Sequence, residues 1–184
     1  MAIFPVRAAL TTMLGAVLPV LLLAGCADGG APAVAASSGP SRTVPDDFCD
    51  RIDYALATSA LGEEMPLPVG DDNRGPGVKC DKGFFGGSVI VQVQTFASAG
   101  EARTGFERSA TVTSAEPFED GSMVVADAVR YQQTRGDARI EILDANVIME
   151  VRLASYSVSD EQAAALPSAT VQVAVQALEL TREP

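Results

Sequence analysis

The fold is decided by the stretch Ser88–Phe96, SVIVQVQTF, in which a valine occupies every second position from Val89 to Val93. A period of two is typical of a strand with one buried face. The three valines face one way and predict a core, whereas Gln92 and Gln94 face the other way. One face of the predicted sheet is therefore buried, and the other is exposed to solvent or covered by a polar site.

The residues before this strand predict a helix, a loop and a first short strand. Apolar residues at helical spacing indicate a helix from about 47 to 61, and Gly62 is typical of the residue that ends one. The prolines and glycines of residues 63–77 predict a loop. A short strand from about 78 to 82 follows this loop.

The residues after this strand predict a second helix, three more strands and a third helix. Ser98 and Glu101 match a capping box, which begins a helix that runs to about Ser109. Alternating residues then predict antiparallel strands at about 128–134, 138–143 and 146–153. The segment that begins with the capping box of Ser159 favours a helix, although alternating valines leave a strand open.

These elements predict an α+β fold, in which one domain at residues 45–184 contains an antiparallel β-sheet packed by an N-terminal, a middle and a C-terminal helix. The chain before it is different. Residues 26–44 are mostly small or polar and show no periodicity, so we expect a flexible tether with an end-to-end distance of roughly 20–25 Å. Packing of this segment on the domain is the alternative.

Residues 1–25 have the three parts of a secretory signal: an early cation at Arg7, an apolar run, and two small residues before Cys26. A membrane-spanning helix needs ~20 apolar residues, and this run is shorter. We therefore predict a signal peptide at 1–25 rather than a transmembrane span.

Leu23-Ala24-Gly25-Cys26 resembles a bacterial lipobox. The resemblance implies that the Cys26 thiol is diacylated with palmitate-type chains and that the chain is cut just before this residue. It implies a lipoprotein anchored to the cell membrane on its extracytoplasmic face. Each buried CH₂ group contributes roughly 0.8 kcal/mol, so two chains hold a protein almost permanently. An ordinary signal peptide followed by a chance cysteine is the alternative.

The charge balance excludes one class of partner. The chain has 13 Lys and Arg against 24 Asp and Glu, a net charge of −11, and removal of residues 1–25 takes away Arg7 alone and leaves −12. Nucleic acid is not expected as a partner, because its binding needs cations that neutralise phosphates. Solubility alone is the other interpretation of this acidity, and a specific partner would be neutral or basic.

The chain contains no histidine, which removes the commonest general base and the commonest metal ligand. It also contains no Gly-x-Ser-x-Gly or Ser-x-x-Lys motif. We therefore predict a protein that is not an enzyme and that needs no cofactor and no metal.

Cys49 and Cys80 remain after lipidation of Cys26. An even pair of cysteines in an exported protein predicts a disulfide bond. With ~30 residues in the closed loop, chain entropy gives roughly 3.5–4 kcal/mol of stabilisation. Two buried free thiols are the alternative, and a metal site is disfavoured because two thiolates supply too few ligands.

The lipobox, the tether, Cys49 on an opening helix, Leu61-Gly62 at its end, and Cys80 before a valine-rich strand together resemble a domain of unknown function common in actinobacterial lipoproteins. That family is similar in turn to the extracellular sensor domains of receptor kinases. The resemblance covers about 45–182. It implies a disulfide-tied antiparallel sheet packed by helices, and it implies no established activity.

These observations favour a membrane-anchored binding, sensor or accessory module of the cell envelope. Its partner would be an envelope protein or a small ligand, and Gln92 with Gln94 form the candidate binding face. A structural envelope lipoprotein without a small ligand is the alternative. A histidine-independent hydrolase is less favoured.

Overall fold

In a computed structural model of the protein, the described residues are 41–65, 77–109, 124–156 and 159–184. The predicted signal peptide, Cys26 and the tether up to residue 40 lie outside them. The described part has the predicted α+β fold, in which helices pack against one antiparallel sheet. None of its helices has the length and apolar character that a membrane span requires.

The sheet has five strands in the order β1-β2-β5-β4-β3, and every neighbouring pair is antiparallel. Its strands are β1 (Gly77–Phe84), β2 (Gly87–Thr95), β3 (Ala128–Thr134), β4 (Asp137–Asp144) and β5 (Val147–Ser155). Strand β2 contains the stretch that decides the fold, except for its last residue, Phe96. Its valines are fully buried and Gln92 and Gln94 are exposed, as its alternation predicts.

The helical region before the sheet differs from the prediction. A single helix over 47–61 is wrong, because the chain forms α1 (Phe48–Arg51), a 3₁₀ turn (Tyr54–Ala57) and α2 (Thr58–Leu61). Ile52 is extended, with φ −70° and ψ 125°, and the Asp53 carboxylate accepts a hydrogen bond from the Ala55 amide. Such a side-chain bond to the backbone starts a new turn in place of helix continuation.

Two capped helices complete the fold. Helix α3 (Ala99–Arg108) begins at Ser98, whose hydroxyl accepts from the Glu101 amide. Helix α4 (Asp160–Arg182) begins with the complete capping box at Ser159, so the alternative of a C-terminal strand is wrong. Pro167 lies within α4, where it lacks the amide hydrogen of an ordinary helical residue.

The two faces of the sheet carry different layers. Helix α4 and the short N-terminal helices cover the inner face and bury the main core, whose largest strand residues include Phe84, Ile140, Ile142, Met149 and Leu153. Helix α3 covers part of the outer face through a separate small cluster of Ala102, Phe106 and Leu143. The rest of the outer face is mostly polar, with Ile90 and Ala154 as apolar exceptions.

The cysteine pair lies where the sequence predicts a disulfide bond. The Sγ atoms of Cys49 and Cys80 are 2.00 Å apart and their Cα atoms are 5.5 Å apart, which is bonding geometry. The bond joins α1 to β1. Both residues are buried, so the bond is part of the main core.

The described residues before Pro45 contact the domain. The Arg42 amide donates to the Asn146 side chain over 2.6 Å, and Asn146 Nδ2 donates back to the Arg42 carbonyl over 3.3 Å. The Arg42 guanidinium donates to Asp144 over 2.9 Å. The described end of the predicted tether, residues 41–44, therefore lies on the domain, at the turn between β4 and β5.

Candidate functional site

Strand register builds a polar row across the outer face of the sheet. Gln92 of β2 lies opposite Glu150 of β5, Glu150 opposite Glu141 of β4, and Glu141 opposite Arg130 of β3. All four side chains point to the outer face because strand residues alternate between faces. Residues up to 58 positions apart thus become neighbours in one row.

A cleft of about 340 Å³ lies between this row and the end of α3. We name it the polar cleft and define it by six polar residues: Gln92, Gln94, Arg108, Ser109, Glu141 and Glu150. Apolar side chains of Phe96 and Ile148 complete its lining. The cleft therefore offers hydrogen-bonding groups beside an apolar wall.

The position of α3 depends on close packing at Gly105. A Cβ atom at this position would lie 3.1 Å from the Phe96 ring and 3.3 Å from Ile148 Cδ1. A side chain at this position would push these neighbours away by a few tenths of an ångström, so glycine favours the close approach of the helix. Phe106, the next residue, is buried against the sheet and anchors the helix.

Both carboxylates of the cleft are already paired with arginines. Glu141 is only 3% exposed, accepts from the Ser109 hydroxyl, and lies 3.2 Å from Arg130 Nη1. Glu150 accepts from Arg139 Nη2. Like charges directly opposite each other in a sheet are destabilising, and these arginines neutralise the Glu141–Glu150 pair.

Arg130 joins the sheet to the last turn of α3. Its Nη1 atom donates to the backbone carbonyls of Phe106 and Ser109 over 2.7 and 2.9 Å. Its guanidinium carbon lies 3.9 Å from the centre of the Phe106 ring, which is cation–π geometry. Arg130 therefore satisfies carbonyl groups that a helix end leaves unpaired and fixes the edge of the cleft.

Three polar residues of the cleft keep their hydrogen-bonding groups available. The side chains of Gln92, Gln94 and Arg108 make no hydrogen bond or ion pair within the described ranges. The two glutamines are those that the sequence singles out as a candidate binding face, and the structure brings them to one cleft with Arg108. Cys49 and Cys80 lie in the inner core instead, and Cys26 falls outside the described residues.

Sequence reasoning missed four residues of the cleft, Arg108, Ser109, Glu141 and Glu150. Alternation predicts that Glu150 faces away from the core, but it does not show which strand lies beside it. Arg108 and Ser109 carry no local signal beyond their place at the end of a predicted helix. They reach the cleft only because α3 packs on the sheet, and this packing depends on contacts between residues far apart in the sequence.

A larger cavity, of about 590 Å³, lies where residues 42–46 cross the ends of β1 and β2. Two of its polar side chains are engaged, since Arg42 pairs with Asp144 and Asn146 bonds the Arg42 backbone and the Phe96 carbonyl. Within the described ranges, Thr43 and Asp46 are left without a side-chain partner. This cavity therefore offers fewer free groups than the polar cleft. Across the described ranges, no group of three metal-ligating side chains lies close enough to hold an ion.

Comparisons with family models, curated proteins and solved structures found no match to this chain.

Proposed function

We propose that the protein is a membrane-anchored, extracytoplasmic binding or sensor module whose polar cleft takes a small ligand. The observation that carries this proposal is the pair Gln92 and Gln94, whose free amides line the cleft beside the apolar side chains of Phe96 and Ile148. Each amide offers donors and an acceptor. A cleft of about 340 Å³ lies at the lower end of the ~300–1,000 Å³ range of ligand sites.

The state of the two glutamates favours binding over catalysis. A carboxylate that acts as general base must reach the proton it abstracts from a substrate. Glu141 is buried and already engaged by Arg130 and the Ser109 hydroxyl, and Glu150 is engaged by Arg139. These carboxylates serve best as fixed parts of the cleft wall, which supports a module that does not transform its ligand.

The anchoring part of the proposal is supported by the sequence 23–26, Leu-Ala-Gly-Cys, which has the form of a lipobox at the end of an apolar run. Two acyl chains on Cys26 would hold the protein on the extracytoplasmic face of the cell membrane. The resemblance to actinobacterial lipoproteins and to receptor-kinase sensor domains supports the same location.

An envelope extract provides the test. The detergent-solubilised lipoprotein is incubated with the extract, and retained or altered small molecules are identified by mass spectrometry. We expect one or more molecules to be retained unaltered, and the double variant Gln92→Ala/Gln94→Ala to lose them. The control is Gln133→Ala/Gln172→Ala, which removes two exposed glutamines outside the cleft. Retention that survives in the cleft variant, or turnover of a component, would contradict the proposal.

A second candidate function, contact with an envelope protein, is favoured by two exposed aromatic side chains. Phe85 and Tyr156 are 68% and 72% exposed, and the Tyr156 amide donates over 2.8 Å to the carbonyl of Gly86, the residue that follows Phe85. Exposed aromatic residues are common anchors of protein interfaces. This role fits a structural lipoprotein without a small ligand.

Site-specific crosslinking in intact membranes separates this second candidate from the first. A photo-reactive residue at position 85 should give a discrete crosslinked protein, whereas the same residue at the exposed position 107 on α3 should not. Equal crosslinking from both positions would argue against a specific partner at Phe85.

A further inference from the structure

We propose that the polar cleft selects a small monocarboxylate with several hydroxyl groups, the chemical class of a uronic acid. This inference rests on the proposed binding function and assigns a ligand class to the same site. It follows from the charges that line the cleft, from its free amides and from its size.

The charge that remains in the cleft is positive. The carboxylates of Glu141 and Glu150 each have an arginine partner, Arg130 and Arg139 respectively. Arg108 lines the same cleft and has no acidic partner in the part of the chain that the structure describes. One guanidinium is therefore left to bind a ligand, and its planar pair of donors fits a carboxylate.

The acidity of the whole chain does not oppose this assignment. Charges separated by more than a Debye length of ~8–10 Å are largely screened at physiological salt. A bound carboxylate would lie at contact distance from Arg108, so the local charge dominates over the distributed net charge of −11. The predicted preference for neutral or basic partners then applies to large polymers, which must approach over a wide acidic surface.

The remaining groups fit a hydroxylated ring. Gln92 and Gln94 project from the same face of β2, two residues apart, so their amides lie side by side above the cleft. Amides can both donate to and accept from hydroxyl groups. Phe96 and Ile148 supply an apolar wall for the C–H face of a ring, and about 340 Å³ accommodates a single ring rather than a chain.

A pair of probes that differ only in charge tests the assignment. The isotope-labelled full chain in detergent micelles is titrated with glucuronate and, separately, with glucuronamide, while the backbone resonances of β2 and the side-chain amides of Gln92 and Gln94 are followed by NMR. We expect glucuronate to bind about tenfold more tightly than its amide, since a charge-assisted hydrogen bond is roughly twice as strong as a neutral one. Added salt should reduce this ratio.

Two arginine variants on α3 provide the matched comparison. Arg108→Gln should abolish the preference for glucuronate, because the unpaired cation is removed. Arg103→Gln removes another exposed cation from the same helix, but this residue does not line the cleft, so the preference should persist.

Three outcomes would overturn the assignment: equal affinity for both probes, a preference that survives in Arg108→Gln, or no binding of either probe. Equal affinity with shifts at Gln92 and Gln94 would still support a ligand-binding cleft, so the proposed function would stand without its charge selectivity. If neither probe binds, the retention experiment with envelope extract decides separately whether the cleft binds another ligand.

Discussion

Arg130 is the residue on which the geometry of the polar cleft most depends. Replacement by Met would leave the buried Glu141 carboxylate without its cation and two carbonyls of α3 without their donor. We expect Arg130→Met to lower the free energy of unfolding by about 2–4 kcal/mol, slightly less than for a fully buried pair because Arg130 is partly exposed. Urea unfolding measures this loss.

The control for Arg130 is an exposed ion pair of the same type. Arg135 Nη2 lies 2.6 Å from Asp160 Oδ1, but the two side chains are 72% and 95% exposed. Arg135→Met should therefore change the free energy of unfolding by less than about 1 kcal/mol. If both variants lose the same amount, the buried network around Glu141 does not have the role assigned to it.

Tyr131 makes the free energy of unfolding depend on pH in the alkaline range. It lies on the inner face of β3, and burial raises the pKa of its phenol above the ordinary value of 10.0. The unfolded chain therefore ionises first, so the stabilisation is complete below pH 10 and is lost as the pH rises towards the folded pKa. Above pH 10, the wild type should lose up to about 1.4 kcal/mol per pH unit from this group.

Urea unfolding at pH 8 and pH 11, compared between wild type and Tyr131→Phe, checks this effect. The variant should lose less stability between these two pH values, since it has no phenol to ionise at this position. Tyr156→Phe, at an exposed position, should behave like the wild type. A Tyr131→Phe variant with the same pH dependence as the wild type would refute the prediction.

Among the described elements, we expect α3 to detach without loss of the sheet. Its apolar contacts form a small cluster with Leu143 and Ile148 that is separate from the main core. Phe106→Ala removes the largest side chain of this cluster and the ring that Arg130 contacts. We expect it to lower the free energy that holds α3 on the sheet by about 3 kcal/mol. We expect faster amide exchange in 99–108, with protection of β5 retained.

Hydrogen exchange followed by mass spectrometry measures this local effect, with Arg103→Ala as the exposed control on the same helix. Uniform loss of protection in α3 and β5 would contradict an independently docked helix.

The elements also show how far sequence reasoning reaches. Alternation in β2 and the caps at Ser98 and Ser159 are local signals, and each was enough to predict its element. The break at Ile52 was not predictable from the sequence. Asp46, Asp47 and Asp53 are all suitable N-cap residues, and tertiary packing determines at which of them a helix begins. A prediction from helical spacing alone therefore gives one helix where the chain forms three short ones.

The polar cleft was predictable only in part, for a similar reason. Gln92 and Gln94 follow from the alternation of one strand. Glu141 and Glu150 join them only through the register of β4 and β5, which depends on hydrogen bonds between strands. Sequence periodicity shows which face a residue occupies and does not show its cross-strand neighbour.

At the scale of the whole molecule, the proposed lipidation of Cys26 would determine where the protein is found. Replacement by Ala removes the thiol that would carry the acyl chains, so the protein should move from the membrane fraction to the soluble fraction. Fractionation with immunodetection, together with intact-mass measurement of the wild type, checks this prediction. A Cys26→Ala protein that stays on the membrane, with no acyl mass on the wild type, would contradict the proposed anchor.

If Cys26 carries the proposed lipid, the Cys49–Cys80 bond protects the protein against release by a cut between residues 49 and 80. The bond closes a covalent ring over residues 49–80, so one peptide-bond cut inside the ring leaves a single molecule with one added water. On a denaturing gel, such a nicked protein should run as one band without reductant and as two bands with it. A cut between 110 and 123 lies outside the ring and should give two bands under both conditions. For a cut within the ring, neither a protease nor a reductant alone would separate the polar cleft from the proposed anchor. Covalent separation would require both.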